Sequence, residues 1–160
     1  MIDRKIFFDQ VRGRLFGGSL TQGQVDGIEA ILGEWELRKL TDSRWLAYML
    51  ATAYHETARA MQPNDELGGN AYFHRMYDIE GQRPSTARLL GNLYPGDGAL
   101  FHGRGLPHLT GRDNYRKMTA LLGRRFAVDL ERDPELAKRP DVAVAVMFEG
   151  MLRADSGFGD

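Results

Sequence analysis

The residues with the clearest chemical potential lie in the segment Ala53–Thr57, which reads Ala-Tyr-His-Glu-Thr. At 100° per residue, Glu56 points in nearly the same direction as Trp45 and Met49 on an α-helix. This places a carboxyl group on the apolar stripe of its helix, near the helix end. Because burial raises the pKa of a carboxyl group, we expect Glu56 to keep the proton that a general acid needs. The structural alternative is that Glu56 pairs with Arg59 or another arginine at the helix edge.

A second acidic group follows at Asp65 and Glu66, on the loop that leaves the helix of Glu56. Such a loop can carry a carboxylate across a cleft from the acid. Inverting glycosidases hold their two carboxyl groups roughly 6.5–9.5 Å apart, with room for a water between them. The alternative is a solvated turn, because Pro63 precedes these acids and Gly68-Gly69 follows them. Spacing alone leaves both interpretations open.

The sequence contains no complete motif for binding a metal ion or a phosphate group. Arg59 occupies the position four residues after His55, so the second ligand of a zinc-binding His-Glu helix is missing. His102 and His108 are six residues apart and do not share a helix face. A dinucleotide-binding loop would have a third glycine at position 108, where this chain has histidine. We therefore expect no metal site and no cofactor.

Composition excludes several classes of protein. The chain has 160 residues, 21 basic and 22 acidic, so its net charge of -1 gives no electrostatic attraction for nucleic acid. The absence of cysteine excludes a disulfide scaffold, a thiolate nucleophile and a Cys-ligated zinc. The apolar runs are far shorter than the roughly 20 residues that cross a bilayer, so we expect no membrane insertion. The charged start, Met1–Lys5, precedes only a short apolar run, which predicts no signal peptide and a cytoplasmic protein.

Helices must position these groups. Thr21 and Gln24 have the spacing of a capping box and predict one helix start, and Asp42 predicts the start of the helix that carries Glu56. An apolar stripe follows each start. The stripes consist of Val25, Ile28, Leu32 and Trp35 in the first helix and of Trp45, Leu46, Met49, Leu50 and Ala53 in the second.

Residues 61–108 interrupt the helical pattern. They hold eight of the 19 glycines and four of the six prolines, which predicts a long irregular insert with room for one short β-hairpin. Helical signals return at Asp113, with a predicted stop at Gly123, and again near Pro134 and from Pro140. The sequence thus predicts a mainly α, single domain with one glycine-rich insert.

Four aromatic residues lie in the insert. They either form a small satellite core or stack against sugar rings, and Tyr72 is the candidate for the stacking residue. The four are Tyr72, Phe73, Tyr77 and Tyr94.

Two segments together resemble the family 19 glycoside hydrolases, specifically their phage-type endolysin branch. The first is His55-Glu56-Thr57, and the second is residues 103–115, Gly-Arg-Gly-Leu-Pro-His-Leu-Thr-Gly-Arg-Asp-Asn-Tyr. Plant chitinases of that family carry the related phrase Gly-Arg-Gly-Pro-Ile-Gln-Leu-Ser before an Asn-Tyr. The resemblance covers roughly residues 41–150 in the same order. It implies an α-helical, lysozyme-like fold of two lobes with a glycan cleft between them.

The resemblance also implies roles for individual residues. Glu56 matches the general acid, and the general base falls at Asp65 or Glu66, with a narrow preference for Glu66. Thr110 matches the hydroxyl that helps hold the attacking water. The substrate-binding residues that we infer with the resemblance are His55, Arg104, His108 and Asn114.

Three features depart from the family pattern. Pro107 and His102 replace a branched apolar residue and an aromatic residue, which is expected to reshape that wall of the cleft. His108 stands where the family usually has glutamine, so an imidazole replaces an amide that contacts an N-acetyl group. Relatives continue beyond the position of Ser156–Asp160, so we expect either a naturally short member or a truncated C-terminal part.

The resulting hypothesis is a peptidoglycan hydrolase of the endolysin or muramidase type, which cleaves β-1,4 bonds between amino sugars with inversion. We expect a phage or prophage lysin that waits in the host bacterial cytoplasm and reaches the cell wall with the help of a holin-type protein. The alternatives are a chitinase acting on N-acetylglucosamine polymers, a lytic transglycosylase using one glutamate, and a catalytically weak glycan-binding or virion protein.

Overall fold

The computed structural model describes residues 2–153 and confirms the mainly α fold, with 61% helix, 3% strand and one small antiparallel sheet. The α-helices are α1 (Arg4–Leu15), α2 (Gln22–Leu37), α3 (Ser43–Glu56), α4 (Asn70–Tyr77), α5 (Pro84–Leu89), α6 (Asp97–Leu100), α7 (Arg112–Phe126) and α8 (Pro140–Leu152). The strands are β1 (Asn64–Asp65) and β2 (Arg104–Gly105), and a 3₁₀ helix spans Pro134–Lys138.

The predicted starts of α2 and α3 are confirmed. Thr21 and Gln24 form a reciprocal capping box, and the Asp42 side chain accepts a hydrogen bond from the backbone N–H of Arg44. The apolar stripe of α3 is narrower than predicted, because Trp45 is 42% exposed. The buried residues of the two helices are Gly27, Ile28, Ile31, Leu32 and Trp35 in α2 and Leu46, Met49 and Ala53 in α3.

Helix α8 is the centre of the packing. It is apolar on nearly every side, which is typical of a helix enclosed by other elements. One side contributes to a core with α2 and α3, and another contributes to a second core with α7. The α8 residues in the first core are Ala143, Val144, Met147 and Phe148, and those in the second are Val142, Ala145 and Val146.

The insert at residues 61–108 is less irregular than predicted, because it contains α4, α5 and α6. Helices of four to eight residues are too short to give a sustained apolar period in the sequence. The two strands pair antiparallel, with Asn64 opposite Gly105 and Asp65 opposite Arg104. Arg104 and Leu109 exchange two backbone hydrogen bonds of 3.2 and 2.9 Å, which closes a tight turn containing His108.

Helix α7 continues past the predicted stop at Gly123 and ends at Phe126. The carbonyl of Gly123 accepts the backbone N–H groups of Ala127 and Val128, so the left-handed residue that ends the helix is Ala127. The predicted starts at Pro134 and Pro140 are confirmed.

The expectation about the C-terminal end, at residues 156–160, lies outside the described residues. Within residues 2–153, no helix combines the length and the hydropathy needed to cross a membrane.

Candidate active site

Helix α3 ends at Glu56, and the next residue takes the buried position. Thr57 is 1% exposed; its hydroxyl donates to the Ala53 carbonyl at 2.6 Å and accepts the Met61 N–H at 2.8 Å. The Glu56 side chain is 37% exposed. The expectation that Glu56 is buried on the apolar stripe is therefore wrong, because the turn after the helix places Thr57 in the core.

The turn after α3 is fixed against α2. Ala58, Arg59 and Met61 all have positive φ, of 49°, 72° and 54°. The Met61 carbonyl lies directly against Gly27 of α2, where any Cβ would collide with it. The end of α3 is thus held by a backbone contact that glycine alone permits.

Glu56 contacts a histidine rather than the neighbouring arginine. Its Oε2 lies 3.0 Å from Nδ1 of His108, whose side chain is only 11% exposed. The other ring nitrogen, Nε2, lies 3.0 Å from Oδ1 of Asn64. The guanidinium of Arg59 instead lies over the ring of Tyr54, 5.6 Å from its centroid. A line of three polar side chains therefore joins the end of α3, the tight turn and β1.

Glu66 lies near the same histidine. Successive side chains of an extended segment alternate between its two faces, so Asn64 and Glu66 share one face and Asp65 takes the other. Glu66 extends the ladder, with its N–H donating to the Gly103 carbonyl at 2.8 Å. A Cβ placed on Gly103 would lie 2.9 Å from Glu66 Oε2 and 3.0 Å from His108 Cβ. Glu66 and His108 thus both pack closely against Gly103, where a side chain would collide with them.

Tyr77 holds the Glu66 carboxylate, a contact that the sequence reasoning missed. Its hydroxyl donates to Glu66 Oε1 at 2.7 Å, while the Gly103 N–H donates to Oε2 at 3.3 Å. Burial and the neighbouring Glu66 carboxylate raise the pKa of Tyr77, so the phenol remains a donor at neutral pH. Tyr77 follows Glu66 by 11 residues, a spacing with no recognisable pattern in the sequence.

Asp65 lies in a cluster of positive charge on the opposite face. Its carboxylate contacts Lys138 Nζ at 2.7 Å, His102 Nε2 at 3.0 Å and Arg104 Nε at 3.4 Å. Burial opposes ionisation of Asp65, but the hydrogen bonds from Lys138 and His102 outweigh it and hold the pKa of Asp65 below its ordinary value. Asp65 is thus a fixed anion that joins β1 to the 3₁₀ helix.

Arg104 is 5% exposed, and its guanidinium makes several hydrogen bonds within the protein. Its guanidinium donates to Glu135 at 2.9 Å, to the Leu100 carbonyl at 2.8 Å and to the Tyr115 hydroxyl at 3.2 Å. This geometry fits the predicted substrate-binding role poorly, because little of the side chain is open to a glycan.

Thr110 and Asn114 brace the turn of His108. The Thr110 hydroxyl donates to the His108 carbonyl at 2.8 Å, and the Asn114 side-chain amide donates to the Thr110 carbonyl at 2.7 Å. Both are half-buried. These bonds support the turn that carries His108 and give both residues a structural role.

The remaining two predicted residues are His55 and Tyr72. His55 is exposed and lines a surface depression with Tyr54 and Arg59. Tyr72 is half-buried and packs edge-on against Tyr77, with ring centroids 6.4 Å apart. This packing is typical of a satellite core.

One group of possible metal ligands occurs among residues 2–153, formed by His74, Asp78 and Glu80. Asp78 is buried and its carboxylate accepts the backbone N–H groups of Gly96, Gly98 and Glu80. These bonds explain the position of Asp78 as a loop cap, so the group gives no reason to propose a metal.

No protein-family model matches the sequence, and no curated protein matches it.

Proposed function

We propose that the protein is a glycoside hydrolase that cleaves β-1,4 bonds between the amino sugars of bacterial peptidoglycan. One observation supports this most: Glu56 and Glu66 come from separate elements and both lie close to His108. A pair of carboxyl groups flanking a gap is the basic requirement of glycoside hydrolysis. The resemblance of the two sequence segments to family 19 hydrolases supplies the glycan as the substrate class.

The two carboxyl groups take complementary roles in this proposal. Glu56, protonated, donates its proton to the glycosidic oxygen as the bond to the anomeric carbon breaks. Glu66, ionised, removes a proton from a water that attacks the same carbon from the opposite face. An inverting enzyme holds its two carboxyl groups roughly 6.5–9.5 Å apart, with room for the attacking water between them. The enzyme is then restored when Glu66 releases its proton to solvent and Glu56 takes up a proton from solvent.

The base is assigned to Glu66 rather than Asp65. Glu66 shares a face with Asn64 and lies close to His108, and hydrogen bonds from Tyr77 and the Gly103 N–H hold its carboxylate in place. Asp65 faces away and is tied to Lys138. The carboxylate of Asp65 forms ion pairs with Lys138 and Arg104.

The rest of the proposal rests on the resemblance. Thr110 orients the attacking water, and no cofactor takes part. A lysin of this kind reaches the wall after a holin-type protein has permeabilised the membrane.

The direct test adds purified protein to permeabilised Gram-negative cells, with Glu56→Gln as the matched control. We expect the wild type to clear the suspension and release new reducing ends, and the variant to do neither while keeping the wild-type circular dichroism spectrum. If both proteins fail to clear the cells but still bind wall material, the protein is a glycan-binding module. Release of 1,6-anhydro ends would instead indicate a lytic transglycosylase, and activity on chitin oligomers alone a chitinase.

A further inference from the structure

Helices α4 and α5 carry exposed arginines that have no carboxylate partner. Arg75 lies on α4, Arg83 directly precedes α5 and Arg88 lies within it, and all three residues are exposed. In the described part of the chain, no carboxylate lies within ion-pair distance of any of them. Arg112 on α7, by contrast, binds Asp97 at 2.6 Å. The charge of the three arginines is therefore open to a ligand.

The acidic residues of the same segment do not neutralise this surface. Asp78 is buried, and its carboxylate accepts the backbone N–H groups of Gly96 and Gly98. Glu80 is exposed, but among the described residues it forms no ion pair with an arginine. Because the whole chain has a net charge of -1, the excess of positive charge here is local. A surface of this kind attracts anions.

Arg75 is held next to the aromatic residues that adjoin the proposed base. Its guanidinium lies over the ring of Tyr72, 5.6 Å from the centroid. The Tyr72 ring packs edge-on against Tyr77, whose hydroxyl donates to Glu66 Oε1 at 2.7 Å. A contact with an aromatic face orients a guanidinium without neutralising its charge. Arg75 is therefore an oriented cation on the helix that holds the proposed base.

A backbone contact brings Arg83 beside α4. The N–H of Gln82 donates to the carbonyl of Arg75 at 2.8 Å. A Cβ placed on Gly81 would collide with the carbonyl of His74, so the segment between the two helices lies directly against α4. Arg83 thus follows a residue that is in direct contact with Arg75, and the two arginines belong to one surface.

We propose that Arg75 and Arg83 form a subsite for the carboxylates of the peptide side chains on the glycan strand, and that this subsite makes the enzyme prefer peptidoglycan to an uncharged glycan. Peptidoglycan bears peptides with free carboxylates, whereas chitin bears no charge. Arginine suits this role because its guanidinium can donate two parallel hydrogen bonds to one carboxylate. The inference rests on the proposed function, since it assigns the subsite to the substrate of that reaction.

The first experiment measures binding to purified cell-wall sacculi in a Glu56→Gln background, so that the wall is not degraded. Because exposed ion pairs are individually weak, we expect about a threefold loss of affinity in Arg75→Gln or Arg83→Gln and about a tenfold loss in the double variant. Sacculi whose carboxylates have been chemically amidated show no such loss. Arg124→Gln is the matched control, because Arg124 is an exposed arginine of α7 without a carboxylate partner among the described residues, and it keeps the parent affinity.

A second experiment compares the hydrolysis of native and of amidated peptidoglycan. We expect the double variant to raise KM for native peptidoglycan, with kcat within a few-fold of wild type, and to leave both parameters unchanged for the amidated substrate. Arg75→Lys retains the charge and keeps most of the affinity. Melting temperatures identify a misfolded variant, and the other single variant then provides the test.

The outcomes separate the subsite from the proposed function. Equal affinity of the parent protein for native and amidated sacculi overturns the inference, and so does an equal loss of affinity in Arg124→Gln. A parallel loss of affinity for double-stranded DNA also overturns it, because the surface would then bind any polyanion. A wild type that hydrolyses neither substrate overturns the proposed function, and the binding measurements then decide whether the subsite exists.

Discussion

Two histidine–carboxylate contacts of equal length lie on opposite faces of the small sheet. His108 meets Glu56 at 3.0 Å, and His102 meets Asp65 at 3.0 Å. Lys138 also binds Asp65 and helps to hold the pKa of that carboxyl group below its ordinary value. The second nitrogen of each ring faces a neutral oxygen, that of the Ala99 carbonyl for His102 and that of the Asn64 amide for His108. The comparison teaches that two histidine–carboxylate contacts of the same length can differ in their charged neighbours, since Lys138 accompanies the contact of Asp65.

The largest expected difference between the two faces concerns the base. Glu66→Gln removes the group that takes the proton from water, so we expect kcat to fall roughly 10²–10⁴-fold without a change in melting temperature. Asp65→Asn disturbs the ion-pair cluster, so kcat stays within a few-fold and the melting temperature falls. Initial rates on purified peptidoglycan and thermal unfolding measure both. The reverse pattern would place the base on the face of Asp65.

The two glycines next to Arg104 provide the second test. The methyl group of Gly103→Ala meets Glu66 Oε2 at 2.9 Å and His108 Cβ at 3.0 Å, so we expect about a tenfold loss of activity. The loss of stability is smaller than in Gly105→Ala, because Gly103 does not have a positive φ. Gly105 has a φ of 90°, and a Cβ there would lie 2.9 Å from the Ala137 carbonyl. Gly105→Ala therefore lowers the free energy of unfolding by roughly 1–3 kcal/mol. Urea unfolding measures the stability of the two variants, and initial rates measure their activity. Equal losses of stability in Gly103→Ala and Gly105→Ala would contradict the expected difference between the two positions.

The hydroxyl of Tyr77 is the third test. Tyr77→Phe keeps the ring packing and removes one hydrogen bond to the Glu66 carboxylate, which is worth roughly 1.5–3 kcal/mol for a charged acceptor. We expect kcat to fall about ten- to a hundredfold, less than in Glu66→Gln, because the base is misplaced rather than lost. Tyr48→Phe, at an exposed tyrosine of α3, is the matched control. Equal effects of the two variants would argue against a specific role for Tyr77.

The smallest expected effect concerns the ion pair of Asp65 and Lys138. The lowered pKa of Asp65 contributes stability above the ordinary aspartate pKa of about 3.9, and this contribution is lost as the pH falls through the lower folded value. Lys138→Met therefore costs up to about 1 kcal/mol at pH 7, since Asp65 is partly exposed, and little at pH 2. Melting temperatures across this range measure the difference, while hydrolysis at pH 7 is unchanged. A constant difference at all pH values would contradict the ion-pair explanation.

The helices could largely be predicted from the sequence. Caps and apolar stripes are local signals, and they located the starts of α2, α3 and α8. The extent of α7 could not be predicted, because Gly123 is a common stop signal and the actual end at Ala127 depends on a left-handed alanine.

The candidate site was only partly predictable. The motif around Glu56 identified a carboxyl group, but its contact with His108 depends on a turn 52 residues away in the chain. The proposed preference for Glu66 over Asp65 as the base depends on the register of β1. That strand has only two residues, so the sequence shows no alternating pattern that would predict its register. The burial of Arg104 is also unusual for arginine and depends on acceptors from three other segments.

Gly27 lies on α2, a helix that contributes no group to the proposed chemistry. Its missing side chain nevertheless leaves room for the Met61 carbonyl, in the turn that follows α3. A side chain at this position would collide with the Met61 carbonyl and displace the segment that follows Glu56. Random mutagenesis screened for loss of lysis should therefore recover substitutions at position 27, whereas Gly33 on the same helix, which has open space around it, should accept alanine freely.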